Sequence, residues 1–163
     1  MAALENPSVQ RVIKALADGG SGAQVMELAD TARSARDAAQ ALGCDLGAIV
    51  KSLVFLIGDR PAIALVAGDH RCREDQLGRT LNLKGDIRRP GAEAVRAATG
   101  FAIGGVAPLG YPQPLPVAID VSLRRFDAVF AAAGHPHCIF KTSVDELKRL
   151  TGGIISYAIA DPQ

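Results

Sequence analysis

The sequence predicts a mixed α/β (α+β) domain: a curved, mixed, largely antiparallel sheet surrounded by helices. Three observations point there. Strand-like apolar runs outnumber helix-like ones, several runs are joined by short turns, and the helical segments carry their own start and stop signals. A doubly wound sheet fits this order less well. The 163 residues suit one domain with a real core, and 48% hydrophobic content with 21% charged residues is globular.

In order along the chain, Asn6 can cap a helix with Pro7 at its first position, and Val9, Val12, Ile13 and Leu16 fall on one face. Gly19 to Gly22 ends it, so residues 1–20 read as an accessory helix and 21–163 as the main domain. Residues 24–28 read as a short strand. Ser34 with Asp37 resembles a capping box opening a helix through Leu42, closed by Gly43.

Two apolar runs follow, Ile49 to Ile57 and Ala62 to Val66, with Gly58-Asp59-Arg60-Pro61 as the turn between them, which reads as a central hairpin. One cation, Lys51, is embedded in the first run. Desolvating an ammonium is expensive, so it asks for a partner or a ligand. A strand lysine also commonly snorkels from an edge or blunts it against aggregation. A polar cluster, Gly68 to Asp75, ends the second run. Glu74 and Asp75 read there as solvated, whereas a strand-end Asp69 near Lys51 would keep that amine charged and oriented.

Helices are expected over 77–83 and 92–99, separated by the basic residues Lys84, Arg88 and Arg89. Residues 100–110 then hold three glycines and a proline in their last seven positions, a backbone suited to unusual dihedrals and close approach. The stretch is neither a Walker A loop nor a dinucleotide fingerprint. Tyr111 to Pro116 is a stiff extended connector. Strands are expected at 117–120, 126–131 and 138–141, a helical turn at 122–125, and a last strand at 154–157. A second capping box, Ser143 with Glu146, opens a helix with Val144, Leu147 and Leu150 inward.

Four of these stretches, IVKSLVF, ALVAGDHR, GGVAPLG at 104–110 and AAGHPHCIFKTSVDELKRLTGG at 132–153, together resemble the YbaK/EbsC family, the insertion-domain-like editing family of prolyl-tRNA synthetase. The resemblance spans about residues 21–160. Its members are trans-editing aminoacyl-tRNA deacylases, which implies hydrolysis of the ester of a mischarged tRNA. The tRNA for proline, carrying a small wrong amino acid such as Ala, Cys, Ser or Thr, is the expected substrate. It implies a catalytic role for Lys51, a GxxxP pocket loop in Gly104, Gly105, Val106, Ala107 and Pro108, and a pocket mouth at Gly134, His135 and His137; Asp69, near Lys51, is expected with them among the substrate-binding residues. Backbone donors in such a loop can meet an ester carbonyl as it becomes an oxyanion.

Net charge of +1 gives no global basic field, so phosphate contacts are expected from local residues: Arg71, Arg73, Lys84, Arg88 and Arg89. Aromatic content of 4% offers few stacking platforms. H-x-H at 135–137 on a strand would put both imidazoles on one face, yet no third ligand stands at a known spacing, so no metal and no cofactor is expected. Cys44, Cys72 and Cys138 show no paired spacing, and no nucleophile elbow is present. No leader-like segment or membrane-length apolar run occurs, so a cytoplasmic monomer or homodimer without membrane contact is expected, with a synthetase as a possible second partner. A non-catalytic tRNA binder of the same fold and a synthetase-docked module are the rival readings.

Overall fold

The computed structural model describes residues 2–29 and 34–163. In chain order the elements are α1 (Pro7–Asp18), β1 (Val25–Glu27), α2 (Ala35–Leu42), β2 (Ile49–Ile57), β3 (Arg60–Ala67), β4 (His70–Cys72), α3 (Glu74–Leu81), β5 (Ile87–Arg88), α4 (Ala92–Thr99), β6 (Val117–Asp120), β7 (Val129–His135), β8 (Cys138–Thr142), α5 (Val144–Thr151), β9 (Ile154–Ser156) and β10 (Ala160–Pro162). Short 3₁₀ turns cover Ala3–Glu5, Leu46–Ala48 and Val121–Arg125.

The main sheet runs β1-β8-β7-β2-β3-β6-β9, with β5 added to the far end of β2. Four ladders are antiparallel (β1–β8, β7–β8, β2–β3, β2–β5) and three parallel (β2–β7, β3–β6, β6–β9), as the mixed, largely antiparallel reading requires. Alternation along β2 feeds two cores. Val50 and Val54 join Ile63 and Leu65 in a cluster with α1 (Val9, Val12, Leu16), α4 (Val95) and α5 (Val144, Leu147). Phe55 and Ile57 face the other way, onto Ala62, Ala64 and Val66 with Leu77 of α3 and Ile159.

Local chemistry explains the helix ends. Asn6 accepts from Ser8 N at 2.8 Å with Pro7 at the first position of α1. Ser34 accepts from Asp37 N at 3.1 Å, and Ser143 from Glu146 N at 3.2 Å. Gly43 and Gly152 close their helices in the left-handed region. Replacing Asn6 by alanine orphans that donor and is expected to cost about 0.5–2 kcal/mol, read as a lower urea midpoint with an unchanged slope.

Several expected boundaries move. The hairpin turn is only Gly58-Asp59, and Pro61 already sits in β3 opposite Leu56. That pair lies between the hydrogen-bonded pairs of the ladder, so the missing N–H of proline costs nothing there. The polar cluster after β3 is a turn plus β4, and β4 pairs with β10, neither of which the sequence announced. The strand expected at 126–131 runs instead from Val129 to His135. His135 ends β7 opposite Cys138, so H-x-H spans the tight turn into β8 instead of lying along a strand.

Candidate active site

Strand β2 changes partner along its outer edge. It pairs with β7 only at Ile49↔Phe130 and Val50↔Ala131, then with β5 only at Leu56↔Arg88 and Ile57↔Ile87. Between them β7 parts from β2, and residues 51–55 pair with no strand on that side among the described residues. Ile49 O accepts from Gly68 N at 2.7 Å, so the odd residues of β2 turn their backbone to β3. By alternation the main-chain groups of Ser52 and Val54 point into the gap.

A cleft of about 340 Å³ fills this opening. Register puts Ile49, Lys51 and Leu53 on the face shared by Phe130 and Ala132 of β7 and Ile139 of β8, and all six line it. Ala35 and Ala38 of α2 cover it. Ile103, Gly104 and Val106 close the open side, with Pro136, Arg89 and Pro90 at the rim. Lys51 stands where β2 and β7 diverge, in mostly apolar surroundings, and the adjacent Ser52 hydroxyl is buried with no hydrogen-bond partner among the described residues.

Burial pushes the Lys51 ammonium below the ordinary lysine value, against the opposing pull of Asp69 and Asp120. Its Nζ donates to the carbonyl of His70. Asp69 does not line the cleft. Its carboxylate is held by Arg125 in a fork, 2.7 and 2.9 Å, and the guanidinium holds it below the usual carboxylate range. Arg125, in the helical turn expected at 122–125, donates also to Ser122 O at 2.7 Å.

Of the GxxxP residues, Gly104 and Val106 face the cleft. Gly105 N donates to Ala102 O at 3.0 Å, and Ala107 O accepts from the hydroxyl of half-buried Tyr111 at 2.7 Å, so these groups brace the loop from within. Pro108 is buried behind it. A methyl on Gly105 would stand 3.0 Å from Gly134 C and His135 N, which is why the loop can lie flat on the end of β7. His135 and His137 stack edge to face at 5.2 Å beside Pro136, outside the cleft lining. Of the five residues expected to meet phosphate, Arg89 alone lines the cleft, its guanidinium 5.1 Å above the Phe55 ring. Arg73 pairs with Asp75 and Asp161, and Arg88 bonds Gly58 O. Arg71 and Lys84 are exposed away from it.

The fold brings together one constellation that spacing did not reveal. His70 Nδ1 lies 3.2 Å from Ser122 Oγ and 3.4 Å from Asp120 Oδ2. Both contacts fall on the same ring nitrogen, so the imidazole cannot relay a proton from serine to aspartate as a hydrolase triad does. Burial pushes the Cys72 thiol up to about 11, which leaves it a poor nucleophile. No group of three His, Cys, Asp or Glu side chains among the described residues is arranged to hold a metal ion, and no helix there is long and apolar enough to cross a membrane.

A curled, mostly antiparallel mixed sheet flanked by five helices is the fold of the YbaK-like trans-editing proteins. The chain belongs to that family: residues 29–150 match the model described as an aminoacyl-tRNA editing domain. It is 32% identical over 128 residues to the uncharacterized protein YwhH of Bacillus subtilis (strain 168), covering 78% of this chain and 80% of that one. It is 25% identical over 122 residues (74% and 73% of the two chains) to an Enterococcus faecalis protein, EbsC, provisionally named a Cys-tRNA(Pro)/Cys-tRNA(Cys) deacylase. A crystal structure provisionally assigned as a trans-editing enzyme for prolyl tRNA synthetase superposes with a TM-score of 0.89 at 39% identity, over 96% of this chain and 98% of that one. Family membership supports an aminoacyl-tRNA deacylase function.

Proposed function

We propose that this protein hydrolyses the ester joining a small, wrong amino acid to the 3′ end of a tRNA, most naturally the tRNA for proline. The observation that carries this reading is the convergence of Lys51, the open backbone edge of Ser52 and Val54, and Gly104 with Val106 on one small, mostly apolar cleft. An activated ester asks little of its catalyst beyond a held water and a stabilised oxyanion, and neither task needs a nucleophile. In this mechanism the Lys51 ammonium meets the ribose or terminal phosphate and steadies the charge that develops on the ester carbonyl. Amides at the β2 edge and in the loop supply fixed donors. The adjacent ribose hydroxyl of the substrate helps orient the attacking water, and Arg89 at the rim meets a phosphate.

The apolar walls favour a side chain that is small. Discrimination comes from exclusion, because admitting one methylene more or less is worth only about 1–3 kcal/mol. The test is a panel of proline, alanine and cysteine tRNAs carrying labelled alanine, cysteine, serine, threonine or proline, scored for release of label. Hydrolysis of a small misacylated residue with the proline ester spared is expected, and a chain that binds these tRNAs without releasing any label overturns the reading. Ala132→Val adds two methyl groups at the cleft wall and is expected to lower kcat/KM about tenfold for the best substrate, with alanine esters least affected among the accepted side chains.

A further inference from the structure

We infer that His70, together with Asp120 and Ser122, is a positioning device for Lys51, built on the opposite side of the lysine from the cleft. The inference rests on the deacylase reading of that cleft. An ammonium has three donors. Here one is spent on the carbonyl of His70, which fixes the stem and leaves two to aim at a ligand. The position of that carbonyl is set by its own residue's side chain. The imidazole is buried, with Asp120 Oδ2 at 3.4 Å and Ser122 Oγ at 3.2 Å on Nδ1 and Asp69 Oδ1 3.9 Å from Nε2.

The groups that hold the ring are themselves tied down. Asp120, at the end of β6, accepts from Ala67 N at 3.0 Å and from Ser122 N at 2.9 Å. Asp69 is locked by Arg125. The main chain on either side of His70 is clamped as well, by Gln163 N donating to Asp69 O and by the pairing of β4 with β10. Five segments thus converge on one carbonyl whose partner is the catalytic amine.

His70→Leu is close in volume and removes every polar contact of the ring. It is expected to lower kcat for labelled alanyl-tRNA for proline about 10- to 100-fold with KM within about twofold, because a mispositioned group costs rate more than binding. His70→Asn, which restores a donor near Nδ1, recovers activity to within about threefold. In a Lys51→Ala background His70→Leu costs nothing further. An equal loss in both backgrounds, or none in either, overturns the inference. Should His70→Leu not fold, Ser122→Ala carries the same comparison: a loss of about threefold or more that vanishes without Lys51 supports it, and any other pattern overturns it. If the unaltered protein releases no label from any tRNA, the deacylase reading fails by itself. The positioning claim is then read from reductive methylation of Lys51 followed by peptide mass spectrometry, faster in His70→Leu than in the unaltered protein if it holds and equal if it does not.

Discussion

Lys51→Ala is expected to lower kcat/KM for deacylation about 10²- to 10³-fold, the scale on which a fixed charge or donor aimed at an oxyanion acts. Binding of the tRNA, which draws also on Arg89 and the β2 edge, changes far less. Lys51→Arg does not rescue, because a planar fork cannot reach the place where β2 and β7 diverge while keeping its bond to the His70 carbonyl. Label release against gel-shift affinity separates the two quantities. An alanine variant that binds more weakly in proportion to its loss of rate would make this lysine a phosphate anchor and remove it from the chemistry.

Removing the charge of Lys51 carries an opposite expectation for stability. Burial lowers the proton affinity of Lys51 in the folded chain, whereas the unfolded chain keeps the ordinary value. Between the folded and the ordinary value the unfolded state binds more protons, so stability rises with pH through that alkaline window, and below it the charged amine is a standing cost. Lys51→Met removes the charge and its desolvation. It is expected to melt at or above the temperature of the unaltered chain near neutral pH and to show a flatter alkaline stability profile. The enzyme-dependent rate, after subtraction of spontaneous ester hydrolysis, falls as pH rises into the same window. A site that destabilises its own fold is what selection for activity leaves behind.

How much of this was legible from residues differs by feature. Helix ends were, because Asn6, Ser34, Ser143, Gly43 and Gly152 act on neighbours a few positions away. Lys51 was, because a lone cation in an apolar run needs a reason. The cleft walls were not: Phe130, Ala132 and Ile139 read as ordinary alternating residues until the parallel register of β7 on β2 puts them on the face of Lys51. Arg125 and the His70 cluster depend on contacts 52 and 56 residues apart, for which no local pattern exists. The pairing of β4 with β10 was hidden for the same reason, since strands of three residues carry almost no periodic signal.

Gly134→Ala is expected to destabilise the chain by about 2–4 kcal/mol and to impair deacylation in whatever fraction remains folded. Two costs add. Gly134 has φ +92°, a conformation that a side chain resists, and its methyl would stand 2.7 Å from Ser8 O in the first turn of α1. Ser8 O cannot yield cheaply, since it belongs to the backbone, as do the next nearest atoms, Ser8 C and Val9 N. Gly105 lies on the other side of the same residue, so loop, β7 and α1 form three layers of bare backbone stacked through Gly105 and Gly134. Gly105→Ala offers the contrast: without a positive φ and with its closest contacts at 3.0 Å, it costs about 1 kcal/mol but shifts the cleft wall directly. Urea midpoints should therefore rank Gly134→Ala well below Gly105→Ala, while both lose activity. The stack also bears on residues 1–20. Val9, Val12 and Leu16 are buried in the main core beneath this layer, so their helix is expected to support the cleft from behind, and deleting it should unfold the domain instead of testing a docking role. If the deletion melts like the full chain and still releases label, the helix is dispensable and the three-layer account of the cleft wall is wrong.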